Sequence, residues 1–531
     1  MADPLSGHER GAPRDTRRFA LDHEVDAVVI GTGAGGAPLL ARLAAAGLEV
    51  LALEAGRWWD PATDFATDES AQSALYWNED RLTGGDTPLH LGRNNSGTGV
   101  GGSTLHYTGF VPRAQPADFH LHRAFGVGVD WPIGYPDLEP YYDQVERTLG
   151  VSGPTPYPWG PPRTPYPLPP LPLNGPAQLM ARGAAAVGIA TTPAPNAALS
   201  RPYHVDGIGW RGPCINRGFC QAGCSVGAKG SMDVTYIPLA VHHGAEVRPD
   251  SRAVALERSA DGRVTAVVYR VGEELRRQRC RSVFLCAGAI ESPRLLLHWG
   301  IANGSGQVGR NLMAHVGPQL WGEFAEEVRP NKGIPAGLVS EDTHRPAGAD
   351  FAGGYLLQSI GVMPVTYASQ LARVGVWGEA LVRRVRAYNH VAGINILGEC
   401  LPCPGNTVAL ADEIDDHGIP IPLVTFSNGD NERAMARHAM TLMRSVWDAA
   451  GARNLWEMPR SAHVGGTCRM GDDPTASVVD RDGRAHDIPN LYVADNSIFP
   501  SALGVNPALT IMALSLRIAD RFLDARRRSE A

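Results

Sequence analysis

The sequence predicts an α/β (α+β) fold, in which a Rossmann-like dinucleotide-binding domain is joined to a second region with antiparallel strands. Three observations carry that expectation. Residues 25–30 form an apolar, strand-like run that feeds Gly31-Thr-Gly33-Ala-Gly-Gly36, an Ala- and Leu-rich stretch from Ala37 to Ala46, and a second apolar run ending at Glu54. A second glycine cluster lies downstream, Gly97-Thr-Gly99-Val-Gly101-Gly102-Ser103. From Ala245 the chain turns strand-rich, and residues 254–257 and 264–270 flank an Asp261-Gly262 turn in the pattern of a hairpin.

Strand, glycine turn, helix, strand and acid form the βαβ unit that holds a pyrophosphate. Glycines allow the tight turn and the close backbone approach, and the helix N-terminus faces the phosphate charge. Gly31, Gly33 and Gly36 are therefore candidate cofactor contacts, and Glu54 is placed to accept hydrogen bonds from ribose hydroxyls. The alternative is a ligand-free turn with Glu54 as a solvated strand end. The second cluster argues against that, because one dinucleotide needs two glycine loops only when backbone grips both its ends.

A chain of 531 residues has room for roughly two to four domains. Its hydrophobic content of 44% is ordinary for a globular protein, and a net charge of −7 gives no reason to expect nucleic acid. No apolar run approaches a membrane span. Residues 1–20 read as a flexible arm carrying Arg14, Arg17 and Arg18. The Arg17-Arg18 pair hints at twin-arginine export, but residues 19–24 make no apolar signal core, so the expected location is the cytoplasm. Eight cysteines in so long a chain do not suggest a disulfide scaffold.

Residues 153–173 are dense in proline and predict an extended strap rather than a helix or central strand. Residues 283–288 read as a buried strand, and 291–299 as a short helix stopped at Gly300. Further strands are expected at 391–397, 408–411 and 423–426. A helix is expected over 431–450, with Met435, Ala439, Leu442, Met443 and Val446 on one face and Gly451 as its stop.

The C-terminal part carries the chemistry. His463-Val-Gly-Gly-Thr-Cys-Arg-Met-Gly471 is followed by Leu491-Tyr-Val-Ala-Asp495 and Gly504-Val-Asn506-Pro507-Ala508-Leu509-Thr510. An imidazole takes a proton near neutral pH, and a carboxamide holds the oxygen that loses it. Asn506 is a good N-cap and Pro507 suits the first helical position. The plain reading is that Asn506 caps a helix. The sharper one adds that this positive helix end faces an electron-accepting ring.

These blocks together resemble the glucose–methanol–choline (GMC) family of flavin oxidoreductases. Residues 31–54 resemble its FAD fingerprint and 99–106 its flavin loop. Gly288-Ala-Ile-Glu-Ser292-Pro293 resembles its second signature, Val308-Gly-Arg-Asn311-Leu-Met-Ala-His315 the segment after it, and residues 463–510 its catalytic end. The resemblance implies an FAD-binding Rossmann-like domain over 21–120, 213–318 and 460–531, and a discontinuous substrate-binding domain built on an antiparallel sheet over 121–212 and 319–459. It implies bound FAD and oxidation of a CH–OH group, with His463 as the base and Asn506 holding the substrate oxygen. Gly101, Gly102, Ser103, Asp495, Pro507 and Ala508 are further cofactor contacts it implies. The family's usual aspartate after Asn311 is replaced, with Ala314 next to His315, which is expected to affect packing more than chemistry.

Two features stay open at this level. His106 stands where some members bond the flavin methyl covalently; the alternative is a histidine that only lines the flavin edge. Cys214, Cys220 and Cys224 have the spacing of members that carry a three-iron four-sulfur cluster, with a loop of free thiols as the alternative. The functional expectation is oxidation of a sugar, polyol or sugar-like alcohol, an aminocyclitol among the variants, with oxygen or an external carrier as acceptor and neither nucleic acid nor membrane as partner. Its rivals are a redox-silent FAD-containing lyase of the same fold and a non-catalytic flavoprotein.

Overall fold

The computed structural model describes residues 16, 18–65, 67–90 and 96–530. Residues 1–15 and 17 of the expected arm, Arg14 and Arg17 among them, lie outside the described residues. The described end of that segment is tied down. Thr16 exchanges hydrogen bonds with the backbone of Val247, and the amides of Arg18 and Phe19 donate to Glu246 Oε2.

The first sheet runs Glu246–Arg248, Val50–Leu53, Glu24–Ile30, Glu274–Leu285, all parallel, with Leu491–Val493 parallel beside the last. These strands read as nearly continuous apolar runs because helices cover them. Ile30 lies level with both Leu53 and Leu285, so Gly31 emerges at the carboxyl edge, where open α/β sheets bind their ligands. The expected hairpin is present: Arg252–Arg258 pairs antiparallel with Val264–Val271, which pairs with the first half of Glu274–Leu285. The helix Gly36–Ala45 packs on the C-terminal helix Ala508–Glu530, and Arg42 bonds Asp520 across them at 2.6 Å.

The second sheet is antiparallel throughout, in the order Arg453–Met458, Gln319–Glu323, Val391–Gly398, Tyr355–Ile360, Leu338–Ser340, Thr192–Pro193. The helices Gly175–Ala186 and Asp430–Ala449 lay their apolar stripes on it, with Met435, Ala439, Met443 and Val446 buried as the periodicity requires. The strands expected near 408 and 423 pair with each other, as Thr407–Ile414 and Pro420–Thr425. The proline-rich segment holds no helix or regular strand, and Tyr166, Leu168 and Leu171 anchor it in the interior.

One pair of strands decides where the site lies. Met313–Val316 and Ser461–Gly465 pair antiparallel, and Val316 joins them to Gly398 of the second sheet. The expected boundaries at 318 and 460 therefore fall beside a pair of strands that hydrogen-bonds into the second sheet. Among the described residues no helix is long and apolar enough to cross a membrane.

Candidate active site

One cavity runs from the first glycine turn to the start of the C-terminal helix. It is lined by Gly31, Gly33, Glu54, Gly102, Ser103, His106, His463, Asp495, Asn506, Pro507 and Ala508. Residues from both ends of the chain thus face the same space. Gly36 stands behind it, where a Cβ would come within 1.9 Å of Gly31 O, so glycine there permits the helix to sit against the turn. Gly101 adopts φ +114° and donates its amide to Thr32 Oγ1 at 3.2 Å, which links the two glycine loops.

Glu54 strengthens that link. Its Oε2 accepts from the amide and hydroxyl of Thr32, and its Oε1 from the amides of Gly56 and Gly99. Burial pushes its carboxyl up and these donors pull it down, with burial the larger effect. A ribose diol would take the place of one of these donors. Asp495 works similarly at the far end. It accepts from Gly288 N, Ser292 Oγ and Ser497 N, and so fastens the second signature to the C-terminal block. Ser103 Oγ accepts from Gly97 N at 3.0 Å and closes the flavin loop on itself.

The C-terminal helix begins at Ala508, and Ile511 N donates to Pro507 O at 2.9 Å. Asn506 does not cap it, contrary to the expectation. Its Oδ1 is buried and accepts no hydrogen bond, because the side chain turns to the cavity instead of back over the first turn. An unpartnered buried carbonyl oxygen is a costly feature and marks a place where a ligand donor belongs.

His463 has φ +55°, which a non-glycine residue rarely adopts. Its Nδ1 lies 3.0 Å from His315 Nδ1, with the rings near perpendicular at 80°. His315 is level with Ala462, so in a regular ladder the side chain of His463 would point to the opposite face. A bulge between Met313 and His315, together with the left-handed φ, turns the two imidazoles together.

The proton positions follow. His315 Nε2 lies 2.9 Å from both Ala502 O and Leu503 O, which only accept, so Nε2 carries hydrogen. Burial lowers the His315 pKa and keeps the ring neutral, which leaves Nδ1 as an acceptor. His463 Nδ1 must then donate to it, and His463 Nε2 is the bare nitrogen. Burial, then the neighbouring His315 and Arg460, hold His463 well below the ordinary imidazole value. Sequence reasoning gave His315 no role, noting only that Ala314 stands next to it where the family's usual aspartate is replaced. No local spacing signals a partner that strand pairing supplies from so far along the chain. Ala314 itself is indeed packed in an apolar cluster.

His106 is buried, stands edge-on to Tyr76, and leaves Nε2 without a partner. Burial and the nearby Lys229 ammonium push its pKa down to about 3, so the ring is neutral. Lys229 Nζ donates to Leu105 O, Tyr107 O and Cys220 O, and thereby binds the cysteine loop to the flavin loop. Asn216 N points at Cys214 Sγ (3.4 Å) and Lys229 N at Cys224 Sγ (3.5 Å). Among the described residues no group of three His, Cys, Asp or Glu side chains is arranged to hold a single metal ion. Cys280, Cys286, Cys400 and Cys468 are buried, as expected of core residues.

The residues present fit FAD: a glycine turn at a parallel sheet edge, two stitched loops, and orphaned polar atoms on His106 and Asn506 line one continuous space. Comparison with known proteins points the same way. Family models described as GMC oxidoreductase match residues 177–317 and 402–515. The chain is 31% identical to a fructose dehydrogenase large subunit of Gluconobacter japonicus, over 94% of this chain and 98% of that one. It is 30% identical to a 2-methyl-1,2-propanediol dehydrogenase of Mycolicibacterium austroafricanum, over 94% and 95%. A structure of Aspergillus oryzae formate oxidase, from work on FAD modification, superposes with a TM-score of 0.70 at 16% identity, covering 96% of this chain and 99% of that one.

Proposed function

Because this chain belongs to the GMC oxidoreductase family and is an FAD-dependent alcohol oxidoreductase, we propose that it oxidises a CH–OH group of a sugar, polyol or sugar-like small molecule, with His463 as the base and Asn506 as the holder of the substrate oxygen. The observation that carries this is the His315–His463 contact, which supports a bare Nε2 on His463 facing the cavity. FAD, when bound, supplies the hydride acceptor. His463 Nε2 takes the hydroxyl proton as the carbinol hydrogen departs, and His315 keeps the other nitrogen protonated throughout. The Asn506 carboxamide meets the oxygen on which charge develops, and the buried walls keep water away from it.

The dinucleotide is held by Gly31, Gly33, Glu54 and the loop Gly101-Gly102-Ser103, with Asp495, Pro507 and Ala508 at its ring end. The substrate is held chiefly by residues of the second sheet. Anaerobic mixing with a panel of sugar alcohols tests the assignment: the bound flavin is expected to bleach, and His463→Ala to slow bleaching by about a hundredfold or more. An undiminished rate in that variant removes His463 as the base.

Amides point at Cys214 and Cys224 Sγ, but burial raises the Cys214 thiol and pushes that of Cys220 up to about 12, which disfavours thiolates in the cysteine loop. This supports a loop of free thiols over a three-iron four-sulfur cluster. Anaerobically purified protein without iron or acid-labile sulfide removes the cluster.

A further inference from the structure

Three carboxamides cross the second sheet in one row. Gln319 is level with Asn395, and Asn395 with Gln358, on neighbouring antiparallel strands. Directly paired residues share a face of the sheet, so the three side chains stand next to one another. All three are buried, and Asn395 is the one polar side chain of its strand Val391–Gly398. Gln319 and Gln358 line the cavity that contains His463. Gln358 Oε1 and Asn395 Oδ1 accept no hydrogen bond, nor does Oε1 of Gln370, which reaches the same cavity from the helix Pro364–Arg373. Buried acceptors left open around one space call for a ligand rich in donors.

A charge completes the pattern. Arg460 lines the cavity, and no acidic side chain among the described residues pairs with its guanidinium. The acids on the cavity wall are engaged elsewhere: Glu54 by the glycine loops, Glu291 by Arg81 and Arg294, and Asp495 by Gly288 and Ser292. Burial lowers the pKa of the half-buried Arg460, and no neighbouring carboxylate raises it.

Resting on the reading of this site as a CH–OH-oxidising centre, we propose that the substrate is a polyhydroxy carboxylate, its carboxylate held by Arg460 and its hydroxyls by Gln319 and Gln358, which Asn395 sets side by side. A guanidinium matches a carboxylate with two parallel N–H bonds. The Gln358 carboxamide offers an open acceptor and donors at once, which is what a carbinol both gives and takes, while Gln319, whose Oε1 already accepts from Trp321 Nε1 at 2.9 Å, offers its Nε2 hydrogens. Bound there, the carboxylate also cancels the field that Arg460 exerts on His463 and makes the base stronger when substrate is present. An aminocyclitol, among the variants the sequence left open, brings a cation to the same guanidinium and is disfavoured.

The test compares anaerobic flavin bleaching of the FAD-loaded enzyme by an aldonate, the alditol of equal carbon number and that alditol's phosphate. The aldonate is expected to half-saturate at a concentration at least about tenfold lower than the alditol, and Arg460→Gln to erase most of that preference. Malonate, with two carboxylates and no carbinol, is expected to perturb the flavin spectrum and to bind at least about tenfold more weakly to Arg460→Gln. Equal half-saturation by aldonate and alditol overturns the inference and leaves the alcohol-oxidising reading intact. A clear preference for the phosphate overturns the carboxylate assignment. Bleaching by none of the three brings down both readings together.

Discussion

The imidazoles of His315 and His463 meet Nδ1 to Nδ1 at 3.0 Å although 148 residues separate them. Two backbone carbonyls decide which ring donates, because they oblige His315 to spend its only hydrogen on Nε2. The proposed base, His463, is therefore prepared by a neutral neighbour, where a carboxylate would have raised its pKa.

Removing that neighbour should cost turnover and leave the cofactor in place. His315→Leu strands a buried N–H on His463 and releases the tautomer; kcat is expected to fall by about 10² to 10⁴ with the FAD content unchanged. His315→Asn keeps an acceptor oxygen and is expected to lose less. A leucine variant with parental kcat would show that the contact is only packing.

The pH profile follows from the same surroundings. Burial, then His315 and Arg460, lowers the His463 pKa, and a base works in its neutral form. The rate of flavin reduction should therefore hold its plateau down through pH ~6.5, the ordinary imidazole value, and fall only below it. Arg460→Gln removes a positive neighbour, which makes protonation easier, so its acid limb should lie at higher pH than the parent's. A parental limb at or above the ordinary value contradicts the burial argument.

His106 offers a neutral, unpaired Nε2 to the cavity, which is the form a nucleophilic imidazole needs. Acid precipitation is expected to leave the yellow colour in the pellet, and His106→Ala to release it to the supernatant. Colour wholly in the supernatant of the parent protein rules out a covalent bond.

Asp118 holds the segment that supplies the two carbonyls. Its carboxylate lies 3.0 Å from His344 Nε2 and 3.2 Å from Arg345, and its Oδ1 is 3.4 Å from Gly504 N. Burial alone would raise its pKa, but His344 and then Arg345 bring it down to about 2. The folded value lies below the unfolded one, so this stabilisation is present above pH ~3.8 and is lost as pH falls toward the folded value. Asp118→Asn is expected to cost about 3–5 kcal/mol near neutrality, read from denaturant midpoints, with the gap from the parent narrowing below pH 4. A pH-independent gap would point to packing instead.

What the sequence made legible was what is local. The turn at Gly31, the hairpin around Gly262 and the helix beginning near Asp430 each depend on residues a few positions apart, and each appears within a residue or two of its expected limits. The partners of Glu54 were not legible, because they come from two loops that only the folded edge brings together. The same holds for Gln319, Asn395 and Gln358, which stand in largely apolar strands. Read singly, such residues look like noise; strand register makes them a row. The N-cap expectation for Asn506 failed for the opposite reason. Its local preference was clear, and the cavity outbid it.

The strand Ser461–Gly465 is hydrogen-bonded into the antiparallel sheet, whereas Asn506 precedes a helix whose Phe522 packs on Phe284 and Tyr492 of the parallel strands. The proposed proton acceptor and oxygen holder thus belong to separate frameworks. A hybrid enzyme that took one layer from each of two parents would inherit a mismatched pair, and its turnover would report how faithfully the two halves dock.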